Sequence, residues 1–361
     1  MNDKTHIPHH HAADEVETLL NRGLRNVWYP VTASWAVQNA PIGITCLGDN
    51  IALWRDNDGK VHALEDRCPH RGARLSLGWN LGDQLACWYH GVQVNGEGKV
   101  MKVPAVADCP MEGQCCVRHY PVHEAAGAIF LYFGDEAHPE PPRLELPEQL
   151  VGEDYDRFLC MAHWNCNYRY ALDNVMDPAH GAFLHSVSHS MAGGDRRADM
   201  RVSKIENGIR FEKTNQQGVN FDWTEYKETG AMYLHLAIPY QQKYTGGEFA
   251  IIGFATPTDE NHTTVFFWRC KKVGGWQRDL WRFMYKNRLE GMHWAVLEQD
   301  RLVLENMAPD ARDHEFLYQH DIGLTRLRRM LEKTAKEQVA ALHAWREVRA
   351  QDATSPEPTH A

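Results

Sequence analysis

The sequence predicts an α+β protein, in which a small antiparallel β domain precedes a larger domain whose curved antiparallel sheet is covered by helices. The first observation is a series of short apolar runs, separated by Gly, Asn and Asp turn signals, between residues 27 and 137. The second is a set of longer strand-like runs after residue 230 that are typical of hairpins. The third is a pair of amphipathic stretches that close the chain and predict helices.

Changes in composition predict four segments. Residues 1–26 form a polar N-terminal segment, which we expect to be loosely ordered. Residues 27–137 form the small β domain, and a Pro-rich linker that starts at His138 opens the larger domain, residues 138–350. Residues 351–361 form a tail with no reason to fold.

The charge balance argues against two classes of partner. The net charge is −10 and no basic run occurs, so we expect neither nucleic acid nor an anionic membrane as a partner. Because no apolar stretch reaches about 18 residues and no signal-like apolar region opens the chain, we expect a cytoplasmic protein. Nine cysteines is an odd number for a disulfide framework, and reduced thiols are the better prediction.

Two short loops in the small domain carry metal-ligand chemistry. A Cys-x-His motif joins Cys68 to His70, and a Cys-x-x-His motif joins Cys87 to His90. Thiolates and imidazoles are ligands of iron–sulfur clusters, so the two Cys can hold one iron of a [2Fe-2S] cluster while the two His hold the other. The alternative is tetrahedral zinc, although zinc fingers usually group Cys with Cys and His with His.

The elements around these motifs fit a pair of ligand loops. Gly72 and Gly91 follow the motifs closely, where a tight turn brings backbone N–H groups near cluster sulfurs. Turn signals predict hairpins that join residues 51–54 to 61–64 and residues 93–94 to 99–100. A strand over residues 127–133 closes the domain.

A second ligand pattern lies in the larger domain. His180 and His185, with a carboxylate, would form a 2-His-1-carboxylate site, in which Fe(II) keeps positions open for O2 and substrate. Asp177 and the proline after it are typical of a helix start and place both His on a helix over residues 178–186. Residues five apart on a regular helix are about 140° apart, so we expect irregularity near Gly181. Taken alone, the segment also fits a helix cap and surface histidines.

The two patterns together resemble the terminal oxygenase (alpha) component of the Rieske non-heme iron oxygenases. The match is the two Cys/His motifs followed by Asn-x-x-Asp-x-x-His-x-x-x-x-His, from Asn174 to His185, and it covers most of the chain. The spacing is most similar to the homo-oligomeric branch of phthalate, carbazole and vanillate-demethylase types. The resemblance implies that His180 and His185 bind a mononuclear Fe(II) with Asn174 beside it. It also implies that Asp177 links His90 of one subunit to His180 of the next, in a homotrimer or a hexamer of two trimers.

The resemblance also implies an acidic third iron ligand on a long helix late in the chain. We predict Asp300, with Glu298 as the rival and Glu305 as a more distant one. The alternative is that all three are exposed helix carboxylates. An electron carrier of the respiratory Rieske type is less compatible, since Ala73 and Trp88 or Tyr89 stand where such proteins carry an additional Cys.

The last predicted elements are helices. One runs from Trp276 to about Asn306, and Asp321 caps another with an apolar side. Three arginines of this last helix are expected on a solvated or subunit-facing surface: Arg326, Arg328 and Arg329. Six residues are candidates for a substrate pocket, with core as the favoured alternative: Trp223, Tyr240, Ile252, Phe254, His293 and Trp294.

The resemblance implies an NAD(P)H- and O2-dependent, aromatic-ring-hydroxylating enzyme. A partner reductase, directly or through a ferredoxin, would reduce the cluster, and electrons would pass by Asp177 to the Fe(II) site. We expect ring dioxygenation of an aromatic substrate, and the alternative is oxidative O- or N-demethylation of an aromatic compound. A regulator or electron carrier without catalysis is the hypothesis from a different class, and the intact ligand residues disfavour it.

Overall fold

The computed structural model describes residues 9–188, 196–216, 222–238 and 247–354. Within these residues the strands form four antiparallel sheets, three small ones before residue 133 and one seven-stranded sheet after residue 154. Helices precede, interrupt and follow the large sheet. The predicted α+β class, with a small β domain before a larger sheet covered by helices, is therefore confirmed.

The small domain contains ten strands in three sheets. In chain order they are β1 (Trp28–Ala33), β2 (Ile42–Cys46), β3 (Asp49–Arg55), β4 (Val61–Glu65), β5 (Trp79–Asn80), β6 (Gln84–Ala86), β7 (Gln93–Asn95), β8 (Val100–Lys102), β9 (Val122–Ala125) and β10 (Ala128–Tyr132). The sheets have the orders β1-β10-β9, β2-β3-β4 and β5-β6-β7-β8. Both predicted hairpins are confirmed, since β3 pairs with β4 and β7 with β8.

Strand β3 is buried on both faces and joins the layers of the small domain. Ile51 and Leu53 point toward a core shared with β1 and β10. Ala52 and Trp54 point to the opposite face, into a second core that contains the two cysteines of the ligand loops. The alternation of side chains along one strand therefore fixes the ligand loops to the rest of the domain.

The large sheet is built from seven strands in the order β11-β17-β16-β15-β14-β13-β12. Their bounds are β11 (Tyr155–Trp164), β12 (Met200–Ile205), β13 (Gly208–Lys213), β14 (Trp223–Lys227), β15 (Met232–Ile238), β16 (Gly247–Pro257) and β17 (Thr263–Lys272). These strands agree with the predicted hairpins. The pocket candidate Tyr240 lies outside the described residues.

Strand β17 is covered on both faces, because the sheet lies between the small domain and the helices. On one face Trp268 stacks with Phe130 of the small domain at a ring distance of 6.2 Å, and its indole N–H donates to the Ala126 carbonyl at 2.8 Å. On the other face Val265 and Phe267 belong to the core beneath the helices. The pocket candidates Ile252 and Phe254 lie on the small-domain face and are core residues, as the favoured alternative held.

The helices are α1 (His9–Arg22), α2 (Glu148–Val151), α3 (Tyr168–Val175), α4 (Gly181–Leu184), α5 (Trp276–Met284), α6 (Glu290–Glu305), α7 (Ala311–His314) and α8 (Ile322–Thr354). A π-helical turn, Tyr285–Leu289, joins α5 to α6, so the predicted helix from Trp276 is not regular throughout. In the part of the chain that the structure describes, no helix is both long and apolar enough to cross a membrane.

Two predictions about the chain ends are wrong. Instead of a loosely ordered segment, helix α1 packs on α8, with Leu20 buried and Glu15 Oε2 lying 2.6 Å from His343 Nε2. The apolar residues of α1 are few and are spaced so that they share one face, which the polar composition hides. At the other end, α8 continues to Thr354, beyond the predicted tail boundary at residue 351, and the residues after it lie outside the described ranges.

A buried ion-pair network ties α3 to the two helices that follow α6. Arg328 of α8 bonds Asp173 at 2.8 Å and also pairs with Glu315, so the prediction of a solvated or subunit-facing position is wrong for this arginine. Arg312 of α7 pairs with the same Asp173 carboxylate. Burial raises the pKa of Asp173, and the charges of the two arginines counteract part of that rise. The network therefore depends on this one carboxylate.

Asp173→Ala is expected to destabilise the protein. The substitution leaves two largely buried guanidinium groups without their shared partner, and breaking a buried pair in this way costs about 3 to 5 kcal/mol. Urea unfolding of the variant and the parent protein measures the difference. Glu332→Ala removes an exposed i,i+4 pair with Lys336 and serves as the control, for which a loss below about 1 kcal/mol is expected. Equal losses for the two variants would contradict a structural role for Asp173.

Candidate metal centres

The two ligand loops of the small domain contain the same backbone turn twice. The carbonyl of Cys68 accepts a bond from the N–H of Gly72 at 2.9 Å, and the carbonyl of Cys87 accepts one from Gly91 at 2.8 Å. Both glycines have a positive φ, +74° and +71°, which other residues adopt only with strain. The predicted role of these glycines in tight turns is thus confirmed.

Within each loop the cysteine is buried and the histidine is exposed. Cys68 and Cys87 are 2% and 1% exposed, and their thiol groups are neighbours. His70 and His90 lie at the surface with their rings 4.7 Å apart. Burial raises the pKa of Cys68 to about 11, so a thiolate at this position requires a cation beside it. The four side chains therefore form a buried cysteine pair and an exposed histidine pair.

This paired arrangement tests the zinc alternative. Four ligands of one tetrahedral zinc lie 2.0 to 2.3 Å from the metal, and hence about 4 Å or less from one another. Of the residues that the structure describes, no three of these four side chains bring their ligand atoms within 4.8 Å of each other. Two separate pairs fit a cluster with two irons, one held by sulfur and one by nitrogen.

A second group of side chains does converge on one point. Asp300 Oδ1 lies 3.5 Å from His180 Nε2 and 3.2 Å from His185 Nε2, and one ligand atom from each residue lies within 4.8 Å of the others. All three side chains are mostly buried, with exposures of 9%, 16% and 1% respectively. The structure thus brings together the three residues that the sequence analysis selected as ligands of one metal.

The histidine segment folds differently from the predicted helix over residues 178–186. The helix is only the single turn Gly181–Leu184, with His180 just before it and His185 just after it. Two residues five apart on a regular helix cannot face the same point. Here His180 and His185 lie outside the helical turn, one at each end, so both side chains can face the same point. Asp177 Oδ1 accepts a bond from the Ala179 N–H at 2.8 Å, which retains its predicted capping role at the start of the segment.

Hydrogen bonds orient both imidazole rings. His185 Nδ1 lies 2.8 Å from Gln299 Oε1, and His180 Nδ1 lies 2.5 Å from the Asp177 carbonyl oxygen. Each ring therefore uses Nδ1 for orientation and directs Nε2 toward Asp300, as metal-binding histidines commonly do. The sequence analysis missed this role of Gln299, although its position next to Asp300 was a usable signal.

The electrostatics of the group call for a positive charge. Burial lowers the pKa of His180, but Asp177 and Asp300 outweigh it and raise that pKa to about 9. His180 and His185 together lower the pKa of Asp300 below its usual range, although burial alone would raise it. His185 Nε2 is fully buried and has no hydrogen-bond partner among the described residues, despite its closeness to Asp300. His185 Nε2 and Asp300 Oδ1 both accept hydrogen bonds, so a cation between them would satisfy both atoms. Two histidines and one carboxylate are a ligand set that suits Fe(II).

The rival carboxylates point away from this group. Glu298 is exposed and pairs with Arg301, and Glu305 pairs with the same arginine while accepting a bond from the Asn165 N–H at 2.8 Å. Asn174 Nδ2 instead donates to Asp300 Oδ1 at 3.2 Å, which places this amide beside the site. The geometry therefore favours Asp300 over both rivals.

The predicted link through Asp177 is not formed within the chain. Its side chain is 37% exposed, and its carboxylate lies 3.7 Å from His180 Nδ1. No hydrogen bond or ion pair between residues of the described ranges joins Asp177 to His90. Both ends of the predicted link are thus accessible from outside.

Two regions of the chain match known families. Residues 27–121 match the Rieske [2Fe-2S] domain, and residues 164–337 match the vanillate O-demethylase oxygenase C-terminal domain. The first region includes both Cys/His loops, and the second includes the convergent His, His and Asp side chains.

Relatives and solved structures agree with these matches. The chain is 32% identical over 164 residues to the vanillate O-demethylase oxygenase subunit of Pseudomonas sp. (strain HR199 / DSM 7063), covering 45% of this chain and 46% of that one. It is 33% identical over 173 residues to the dicamba O-demethylase oxygenase component of Stenotrophomonas maltophilia, covering 48% and 51%. The chain thus spans about half the length of these curated relatives. The terminal oxygenase of carbazole 1,9a-dioxygenase from Novosphingobium sp. KA1 has the same fold, with a TM-score of 0.72, 22% identity and coverage of 88% and 94%.

Asp300→Ala is expected to remove one metal and leave the other centre intact. Two irons in a cluster and one mononuclear iron predict about three irons per chain, falling to about two in the variant. Elemental analysis gives the iron content, and the visible absorption of the purified protein reports the cluster. Glu298→Ala, two residues away on the same helix, is the control and should keep the full content. Iron loss in the control but not in Asp300→Ala would refute the choice of ligand.

Proposed function

This chain belongs to the Rieske non-heme iron oxygenases, and we propose that it is a terminal oxygenase component that hydroxylates an aromatic substrate with O2. Electrons would come from an NAD(P)H-dependent reductase, directly or through a ferredoxin. The observation that carries the proposal is the convergence of His180, His185 and Asp300, with the buried His185 Nε2 lying 3.2 Å from Asp300 Oδ1. A regulator or plain electron carrier has no use for that second site.

The residues divide between two cofactors. Cys68, His70, Cys87 and His90 would hold the [2Fe-2S] cluster, and His180, His185 and Asp300 would hold the mononuclear Fe(II). When bound, the cluster supplies single electrons and the iron supplies the oxidising chemistry. We place these sites in domains with boundaries at residues 27–137 and 138–350. None of the nine cysteines forms a disulfide, which supports a reducing compartment such as the cytoplasm.

We propose that the working site is shared between subunits of a homotrimer, alone or stacked into a hexamer. The support is the exposure of both ends of the link: His90 at the surface of one domain and Asp177 at the surface of the other. Large exposed apolar side chains flank each end, Trp88 and Tyr89 beside His90 and Phe183 beyond Asp177. Exposed apolar side chains that lie together can form an interaction surface. An Asp177 carboxylate between two imidazoles would orient both rings and give electrons a short route.

Two reaction outcomes fit the site, ring dioxygenation and oxidative O- or N-demethylation. The match of residues 164–337 to the C-terminal domain of a demethylase supports the second outcome, as do relatives that act on vanillate and dicamba. We therefore rank demethylation of an aromatic methyl ether or N-methyl group ahead of ring dioxygenation. In either case the buried metal site must accept a ring next to the open coordination positions.

Formaldehyde release distinguishes the two outcomes. A demethylase hydroxylates the methyl carbon, so an aryl methyl ether should give formaldehyde in amounts equal to the phenol formed. The assay combines the holoenzyme, a surrogate reductase, NADH and a panel of methoxybenzoates, with products identified by mass. A ring dihydrodiol without formaldehyde would support dioxygenation instead. NADH oxidation without any product from the panel or from unsubstituted aromatics would count against an oxygenase.

Asp177→Asn is expected to keep both metal centres and lose turnover by about 100-fold, because the amide replaces one of the two acceptor oxygens of the carboxylate by an NH2 donor and removes its charge. Iron content and the cluster spectrum of the variant should equal those of the parent protein. Single-turnover mixing of reduced enzyme with O2 and substrate then measures electron transfer to the iron site. Asp199→Asn, an exposed aspartate of the same domain, is the control. Parent-like turnover in Asp177→Asn would refute the link.

Mixed oligomers separate a link between subunits from one within a subunit. Coexpression of His90→Ala and Asp177→Ala chains with different tags gives oligomers in which an intact His90 can meet an intact Asp177 of a neighbour. Each variant alone should be inactive, whereas the doubly tagged oligomer should recover part of the activity. No recovery in oligomers whose Asp177→Ala chains keep the cluster and whose His90→Ala chains keep the mononuclear iron would contradict a shared site.

A further inference from the structure

A polar joint connects the small domain with helix α8 and the end of strand β16. Arg25 lies at its centre, between Gly23 and Asn26, whose positive φ values of +114° and +62° turn the chain sharply on both sides. A Cβ atom at position 23 would lie 2.6 Å from Pro257 Cγ, so only glycine fits this approach to β16. The two bends therefore hold Arg25 between the domains.

Arg25 bonds to both domains at once. Its guanidinium donates to the two carboxylate oxygens of Asp49, at 2.8 and 3.1 Å, at the start of β3. Its backbone N–H donates to Gln338 Oε1 of α8 at 3.0 Å, and its carbonyl accepts a bond from the amide of Gln338. Paired bonds between a guanidinium and a carboxylate are charge-assisted and directional, so they fix orientation as well as distance.

The turn that precedes β3 also bonds directly to the large sheet. The backbone N–H groups of Leu47 and Gly48 donate to the carbonyls of Pro257 and Thr258, each at 2.9 Å. The carboxylate at the start of β3 follows these two residues, so its bonds with Arg25 support the turn from the other side. A continuous set of hydrogen bonds therefore runs from α8 through Arg25 to this turn and on to β16.

Two open clefts border the joint. The first has a volume of about 460 Å³ and is lined by Asp49 and by Gly72 of the first Cys/His loop, so the joint lies close to the cluster ligands. The second, of about 810 Å³, is lined by Arg25, by Tyr132 of β10 and by Leu342 of α8. Atoms that face a cleft lack packing partners on that side, so hydrogen bonds rather than packing connect the domains here.

A second contact between the domains is mainly apolar and lies some distance away. Phe130 of the small domain stacks on Trp268 of β17, whose partner in register is Ile252 of β16. Apolar contact is not directional, so this face fixes the separation of the domains more firmly than their relative rotation. Pro257 lies five residues along β16 from Ile252, which is about 16 Å at 3.3 Å per residue. The joint therefore acts at a distance from the stacked face, where its bonds resist rotation.

We propose that Arg25 is a positioning residue for electron transfer. By preventing rotation of the small domain on the large sheet, it sets where His90 of one subunit meets Asp177 of the neighbouring subunit. The step that it supports moves one electron, which leaves the reduced cluster and is taken up at the mononuclear iron. The inference rests on the proposed function, in which the working site is shared between subunits.

Two variants break the joint from opposite sides: Arg25→Leu removes the bonds with Asp49, and Gln338→Leu removes the bonds from α8. Reduced holoenzyme is mixed with O2 and each member of the methoxybenzoate panel, and the visible absorption of the cluster reports its reoxidation. Both variants should transfer the electron about tenfold or more slowly than the parent protein, since a misplacement of about 1 Å can cost about 100-fold. Iron content and the reduction potential of the cluster should not change. Arg25→Lys, which keeps the charge without the paired donors, should recover part of the rate.

Hydrogen exchange measures the joint independently of any reaction. The N–H groups of Leu47 and Gly48 are bonded across the joint, so they should exchange faster in Arg25→Leu and in Gln338→Leu than in the parent protein. The peptide that contains Ile252, beneath the stacked face, should exchange at the parent rate in both variants. Mass spectrometry of peptides from the exchanged proteins gives both values.

Arg55→Leu is the matched control. Arg55 donates to both carboxylate oxygens of Glu124, at 2.9 and 3.0 Å, in an equivalent pair that lies entirely within the small domain. The two arginine side chains are similarly exposed, so thermal unfolding should show comparable losses of stability for Arg55→Leu and Arg25→Leu. Only the control should keep the parent rate of electron transfer and the parent exchange of the turn before β3.

Each remaining outcome counts against the inference or against the proposed function. Parent-like transfer in both joint variants, equal slowing in Arg55→Leu, or slower transfer without faster exchange at the turn would each overturn the inference alone. A loss of iron or a changed cluster potential in Arg25→Leu would also overturn it, because the effect would then lie in a cofactor. Reoxidation in the parent protein no faster than in Asp177→Asn would refute the shared site, and the inference with it.

Discussion

The structure depends most on one constraint, that a carboxylate and two imidazole nitrogens from distant parts of the chain meet in a buried place. Asp300 is carried by a long helix, whereas His180 and His185 stand at the two ends of a single helical turn. Neighbouring bonds hold the arrangement, with Gln299 orienting one ring and Asn174 bonded to the carboxylate. Such a group is stable when a cation satisfies all three side chains together, which is the arrangement that a metal site requires.

The buried ion pairs of Asp173, and the large sheet that is covered on both faces, help to hold these three side chains in place. Asp173, next to Asn174 in sequence, anchors α3 to both α7 and α8, so a carboxylate outside the site fixes the helix that lines it. On the opposite side, Trp268 ties the sheet to the small domain by stacking and by a hydrogen bond. The two Cys/His loops and the group of His180, His185 and Asp300 are thereby attached to a common sheet, and their separation within one chain is set by packing rather than by a hinge.

Features that depend on residues close together in the sequence were predicted well, and features that depend on distant residues were predicted poorly. The Cys/His loops and their glycines follow from ligand type and spacing within a few residues, and the structure places them as expected. Asp300 was reached only through family resemblance, because no local pattern separates it from Glu298 one half-turn earlier. Helix α1 and the pairing of Arg328 were missed, since both depend on partners more than a hundred residues away. The short turn between the histidines was anticipated in part, from the geometry of an i,i+5 pair.

The π-helical turn before α6 has a consequence for how this site can change. Each residue of an α-helix advances the side chains by about 100°, so a helix without the widened turn would present a different face at every later position. If the same residues formed a regular α-helix, Asp300 would rotate away from the histidines and Gln299 would take its direction. Removing one residue from the turn would instead restore a regular helix and leave Asp300 in place. The widened turn thus decides whether an anionic carboxylate or a neutral amide faces the two histidines.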